Sequence, residues 1–132
     1  MTKVFSVLAA LAAFVLAPVH AAEADGKAVF QKNCAACHMA TGKGIPGAFP
    51  ALAGNKFVQG PEKDPATVLL KGRGGMPDFS QSLNDADIAA VLTYVRGAWG
   101  NKAGALTEQQ VAAVRTEVQA EKFTAGQMAN KH

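Results

Sequence analysis

The chain has 132 residues, of which 49% are hydrophobic and 17% charged, with a formal charge of +3 from 13 basic and 10 acidic side chains. That length suits one domain once a leader is removed. The Lys and Arg residues form no run, which argues against a nucleic-acid partner, and alternating β-branched stretches are nearly absent, which argues against a sheet.

Residues 1–21 read as an export signal. Lys3 supplies the positive start, Val4 to Ala17 is an apolar run, and Val19-His20-Ala21 is a small-x-Ala cleavage site. The run is shorter than the roughly 20 residues that a membrane span needs. A second such segment does not follow, so the expectation is a periplasmic protein with no stable membrane insertion. The sequence then predicts a domain over 22–120 and a flexible polar tail over 121–132.

Within the domain, Asp25 can cap a first helix that runs to Cys34, with Gly26, Val29 and Phe30 on one side. From Met39 to Glu62 the chain is punctuated by Gly42, Gly44, Pro46, Gly47, Pro50, Gly54, Gly60 and Pro61, which predicts loop. Asp64-Pro65 reads as a cap followed by a first-turn proline, giving a short helix Pro65–Lys71 that stops at Gly72. Asn84 caps the clearest helix, with Asp87 as its box partner, Leu83 as staple and Ile88, Val91, Leu92 and Val95 as the buried stripe. Thr107 and Gln110 repeat the capping logic ahead of a thinner stripe, Val111, Val114 and Val118. From about Lys122 the chain reads as a frayed tail, with Phe123 a candidate to dock.

Cys34-Ala35-Ala36-Cys37-His38 is the stretch that carries chemistry. On a helical turn, residues i and i+3 share a face. Both thiols can therefore add across the two vinyl groups of one haem while His38 reaches the iron. Cys-x-x-Cys also serves disulfide exchange and forms half of many zinc sites. A structural zinc site asks for four ligands, yet the other histidines are His20, inside the signal, and His132, the last residue. A redox disulfide asks for a βαβ frame that this sequence has no strands to build. Haem attachment is the leading reading, with a redox disulfide as the alternative, and a buried porphyrin would add the apolar volume that an Ala- and Gly-rich domain lacks.

With Cys34 to His38, Gly75-Met76-Pro77 and the last helices in view, the chain resembles the class I, mitochondrial-type cytochromes c. More narrowly, it is similar to small bacterial periplasmic cytochromes that serve dehydrogenases. The resemblance spans roughly residues 25 to 100 and follows the family's order: Gly26 and Phe30, the haem motif, Pro50-Ala51-Leu52-Ala53-Gly54, the Met76 loop, and Leu92-Thr93-Tyr94-Val95. It implies an all-α class I cytochrome c fold around one covalent haem c; Leu106 to Gln119 departs from the family's pattern by adding one extra C-terminal helix. It also implies Cys34 and Cys37 as the attachment residues, His38 and Met76 as axial ligands, Pro50 as acceptor of the His38 Nδ1 proton, and Leu52 against the porphyrin. The residues agree with this for Met76, since Gly72, Gly74 and Gly75 give a flexible approach and Pro77 stiffens the exit. A loop methionine can equally pack in a core. Met1 lies in the signal, Met39 adjoins His38 and Met128 lies in the tail. Gly26 and Phe30 are expected to meet Val91, Tyr94 and Val95 at a helix crossing, with Tyr94 and Trp99 as packing. Asn55, Lys56 and Arg73 are candidates either for the propionates or for solvated surface.

The function expected is one-electron transfer, because an iron with both axial positions filled offers no site to a substrate. Electrons would pass at a surface ringed by Lys43, Ile45, Pro46, Phe49 and Arg73. The resemblance implies a flavin- or quinone-dependent dehydrogenase as donor and a terminal oxidase or another cytochrome as acceptor. The alternative is a haem enzyme or ligand sensor in which Met76 is displaceable. That would call for a distal His or Arg, and only Arg73 lies near Met76 in the sequence.

Overall fold

The computed structural model describes residues 24–129. The signal over 1–21, with His20, and the terminal His132 lie outside the described residues. Five helices follow in order among the described residues: α1 Gly26–Asn33, α2 Ala35–His38, α3 Lys63–Lys71, α4 Asp85–Gly97 and α5 Glu108–Ala129. Among the described residues there is no strand, only isolated bridges between Ile45 and Phe49 and between Arg73 and Met76.

The frame is the crossing of α1 on α4. Asp25 starts α1, its Oδ1 accepting from Lys27 N and Ala28 N at 3.0 and 3.2 Å. Gly26 then lies so close to α4 that a Cβ there would stand 2.1 Å from Ala90 O, so only glycine lets the two backbones touch. One turn on, Phe30 is fully buried against Tyr94 and Trp99, with ring centroids 5.6 and 5.1 Å away. Burying such a ring stabilises by about 2 to 3 kcal/mol. Asn84 caps α4 through Asp87 N at 2.8 Å, and Ile88, Val91, Leu92 and Val95 form its buried stripe as the spacing predicts.

Two expectations need correction. Helix α3 begins at Lys63, ahead of the predicted Pro65, and Asp64 sits in its first turn instead of capping it. The first-turn N–H groups have no acceptor one turn back, so proline's missing N–H costs nothing at the third position. The second correction concerns the tail, which is helical as far as Ala129. The reciprocal box of Thr107 and Gln110 (3.2 and 2.8 Å) starts α5, and Val111, Val114 and Val118 are buried as expected. Beyond them Ala, Glu, Lys, Gln and Met sustain the helix. Phe123 does not dock: it is 68% exposed, because a stripe through 111, 114 and 118 continues at 121 and 122, not at 123.

Polar clamps tie the long loops to this frame. Arg96, 2% exposed, donates to Val58 O and Gly60 O from Nη1 (2.8 Å each) and to Gly104 O from Nε (2.8 Å), with Glu62 Oε1 at 3.7 Å. A buried guanidinium is tolerable only when its donors are occupied in this way.

Candidate functional site

Cys34 ends α1 and begins α2, and its carbonyl accepts from Cys37 N (3.2 Å) and His38 N (3.0 Å). The two thiols thus stand at i and i+3 of one short turn. Both are free, Cys34 half-buried and Cys37 exposed. Burial, and secondarily the neighbouring Cys37, pushes the Cys34 thiol up to about 11. A disulfide-exchange nucleophile works as a thiolate and needs the opposite shift, so Cys34 is unsuited to that role. No cluster of three or more His, Cys, Asp or Glu able to hold a metal occurs among the described residues, which leaves a zinc reading without its ligands.

His38 closes α2 and is 7% exposed. Its Nδ1 lies 2.9 Å from Pro50 O. A carbonyl can only accept, so Nδ1 carries a proton, and in the neutral ring Nε2 is then the nitrogen with the lone pair. The loop that brings Pro50 here is built on close approaches. Gly44 N donates to His38 O at 2.9 Å, and a Cβ on Gly44 would stand 2.4 Å from Phe49 O and 2.6 Å from Pro50 O. With φ at +61°, that position is reserved for glycine twice over. Leu52 N and Ala53 N both donate to Gly42 O, at 2.7 and 3.0 Å, while Trp99 covers Gly42 and donates from Nε1 to Ala40 O at 3.1 Å. Buried Asn101 finishes the loop: Nδ2 donates to Leu52 O (3.0 Å) and Val95 O (2.8 Å), and Oδ1 accepts from Gly54 N (2.8 Å).

Met76 sits in a tight turn in which Arg73 N donates to Met76 O (3.1 Å) and Met76 N to Arg73 O (3.0 Å), with Gly74 at φ +57°. The glycines therefore shape a defined turn and do more than loosen an approach. Cys34, Leu52 and Met76 are each half-buried and pack on the same core, to which Phe30, Leu70 and Val91 belong. The other methionines stand apart: Met39 is 44% exposed beside His38, and Met128 is 61% exposed near the end of α5. Arg73 stacks over Phe57, 4.8 Å from the ring centroid, and joins the Met76 turn to the 53–60 loop. Asn55 is committed to that loop, its Oδ1 accepting from Phe57 N and Val58 N and its Nδ2 donating to Ala51 O.

This pattern has a counterpart in known proteins. The family described as "Cytochrome C oxidase, cbb3-type, subunit III" matches residues 21–95, more than half of the chain. The chain belongs to this cytochrome c family. It is a small class I-type cytochrome c, its fold is the all-α cytochrome c fold, and its cofactor is covalently bound haem c. A cytochrome c-552 of Thermus thermophilus is 37% identical over 107 residues, which cover 69% of this chain and 71% of that protein. The cytochrome c subunit of a quinone alcohol dehydrogenase from Gluconacetobacter polyoxogenes is 35% identical over 115 residues, 76% of this chain. The CcoP subunit of a cbb3-type cytochrome c oxidase from Azospirillum brasilense is 37% identical over 90 residues, 62% of this chain. The match covers 24% of the dehydrogenase subunit's length and 30% of CcoP's. Members of the family carry electrons, in several cases as subunits of enzyme complexes.

The residues fit the cofactor on their own evidence. A buried imidazole with Nδ1 occupied, a pair of free thiols on one turn, and a thioether and an isobutyl group packed on one apolar core are a donor and lining set that suits haem c. Sequence reasoning missed Asn101, Arg96 and the close approach of Gly44 to Pro50. Gly100, at φ +85° immediately before Asn101, marked a turn, but nothing local could say that the amide reaches Leu52 and Gly54.

Proposed function

We propose that this chain is an exported, periplasmic one-electron carrier whose haem is attached through Cys34 and Cys37, with His38 and Met76 as axial ligands. The observation that carries the reading is the 2.9 Å contact between His38 Nδ1 and Pro50 O in a buried setting. It fixes the tautomer, aims Nε2 away from the loop and makes the imidazole a stronger donor. Leu52 lines the apolar side, and the soft Met76 thioether favours ferrous iron and a raised potential. When bound, the haem iron supplies a reversible one-electron couple. The protein's part is to keep both axial positions filled, so that no substrate competes for them.

A haem enzyme or ligand sensor would need a free polar side chain beside Met76. His38 is the sole histidine among the described residues, and Arg73 is stacked on Phe57. No helix among the described residues is long and apolar enough to cross a membrane. Lys43, Ile45, Pro46, Phe49 and Arg73 are all exposed and offer partners a surface of few charges. The names of the relatives support a dehydrogenase as donor and a terminal oxidase as acceptor; a flavin or quinone cofactor in the donor, and another cytochrome as acceptor, rest on the family resemblance.

Stopped-flow reduction of the matured protein by such a dehydrogenase tests this reading. The expectation is fast reduction with mild salt dependence, since surface charges this sparse steer weakly, and slower reduction of Phe49→Glu. Reduction no faster than that of an unrelated cytochrome would remove the donor. Catalytic turnover of a small substrate at the iron would remove the carrier reading itself.

A further inference from the structure

Helix α5 takes no part in the site as described, yet its polar side chains converge on one place. The Met76 loop leaves α3 at Lys71 and returns through Pro77 and Asp78. The last carbonyls of a helix lack partners one turn ahead. At the end of α3 two of them are met from elsewhere: Phe79 N donates to Leu69 O at 2.8 Å, and Lys122 Nζ stands 3.5 Å from Leu70 O. On the returning limb the same ammonium is 2.7 Å from Asp78 Oδ2, while Asp78 Oδ1 accepts from Ser80 N at 2.7 Å. One α5 side chain therefore spans both stems of the loop.

Two turns earlier on the same face of α5, Arg115 takes hold of the next stretch. Its Nη1 donates to Ser80 O (2.5 Å), Nη2 to Leu83 O (2.9 Å) and Nε to Asp85 Oδ1 (2.6 Å), and its side chain is 17% exposed. No side chain of α5 reaches the two glycines at the loop tip. A Cβ on Gly74 or Gly75 would meet nothing within 4 Å; beyond the Met76 side chain on the core and Arg73 on Phe57, the loop is held through its stems.

We propose that α5 is a brace for the Met76 loop: Lys122 and Arg115 hold the loop's returning limb against the end of α3 and so set how readily Met76 leaves the iron. Both are positioning residues, and the inference rests on the reading of Met76 as the sixth ligand. For the thioether to depart, the loop must swing on its stems, and the brace resists that swing. The Lys63–Glu117 pair joins α5 to the opposite end of α3 and is the internal control, because it contributes to docking of α5 without touching the loop.

The experiment uses the matured, full-length holoprotein in two measurements. The first is the rate at which imidazole binds the ferric protein, which requires the sixth ligand to leave. The second is hydrogen exchange at the Met76 and Phe79 amides. Lys122→Gln should speed both by about three- to fivefold, the scale of an exposed ion pair. Arg115→Gln should speed both by about tenfold or more, because it strips charge-assisted bonds from a mostly buried group. Lys122→Arg should stay at the wild-type rates, and so should Lys63→Gln. If Lys122→Gln behaves as Lys63→Gln does in both measurements, the brace does not exist. Lys122 is about half-exposed and outside the core, so its variants fold. Failure of the ligand reading is seen separately: Met76→Ala would keep the far-red absorption band of the ferric protein, while amide exchange would still report whether α5 holds the loop.

Discussion

Gly44→Ala tests how the His38–Pro50 contact is made. At φ +61° an alanine costs about 1 kcal/mol in backbone strain. Its Cβ would also sit 2.6 Å from Pro50 O, where a relaxed carbon–oxygen contact needs about 3.3 Å. The carbonyl must therefore retreat by roughly 0.7 Å, which takes the 2.9 Å bond to His38 beyond hydrogen-bonding range. With overpacking and a lost buried bond added, the total destabilisation should be about 3 to 5 kcal/mol. Losing the acceptor also makes the imidazole a poorer donor and favours ferrous iron. If the bond favours the ferric state by about 0.5 to 1 kcal/mol, the potential rises by about 20 to 40 mV. Gly47→Ala is the matched control, because φ is +79° there and a Cβ would meet nothing within 4 Å. It should cost about 1 kcal/mol and leave the potential in place. Guanidinium unfolding and an optical redox titration of the three holoproteins read both quantities. Equal effects of the two substitutions on stability and potential would refute the steric argument.

Other expectations follow from the same contacts. Gly26→Ala forces a Cβ onto Ala90 O and should destabilise the holoprotein by about 2 to 3 kcal/mol in guanidinium unfolding; a loss under about 0.5 kcal/mol would mean that α1 slides freely on α4. Asn101→Ala leaves Leu52 O, Gly54 N and Val95 O to find new partners. It should cost about 2 to 4 kcal/mol and speed hydrogen exchange of the Gly54 amide, and unchanged exchange there would remove Asn101 as the clamp of the Leu52 loop. Trp99→Phe keeps the ring against Phe30 but loses the bond to Ala40 O. A cost near 1 kcal/mol is expected, and one above about 3 kcal/mol would place the energy in packing instead.

Three helix starts were legible from local signals, while the equally local Asp64-Pro65 pair misplaced the start of α3 by two residues. Asp25, Asn84 and Thr107 cap the helices that they were expected to cap, since a cap and its partner lie within a turn of each other. The buried stripes of α4 and α5 followed from spacing for the same reason. What the sequence left hidden depends on residues far apart in the chain. Asn101 reaches Leu52, Arg96 reaches Val58, and Lys122 reaches Asp78, and in each case an ordinary polar residue acquires its role only when the fold closes. Pro50 is the intermediate case. Its position beside His38 came from resemblance alone, and the structure adds the local cause, a glycine at 44 that lets the two carbonyls at 49 and 50 approach.

The most direct test of the central claim is the far-red absorption of the ferric holoprotein, recorded for the wild type and for Met76→Ala, Met39→Ala and Met128→Ala. Thioether ligation to ferric haem gives rise to this weak band. The band should be present in the wild type, survive substitution of the two exposed methionines and vanish in Met76→Ala, which should also bind cyanide or carbon monoxide readily. Persistence of the band in Met76→Ala, or its loss in either of the other two variants, would contradict the His38–Met76 site on which the electron-carrier account is built.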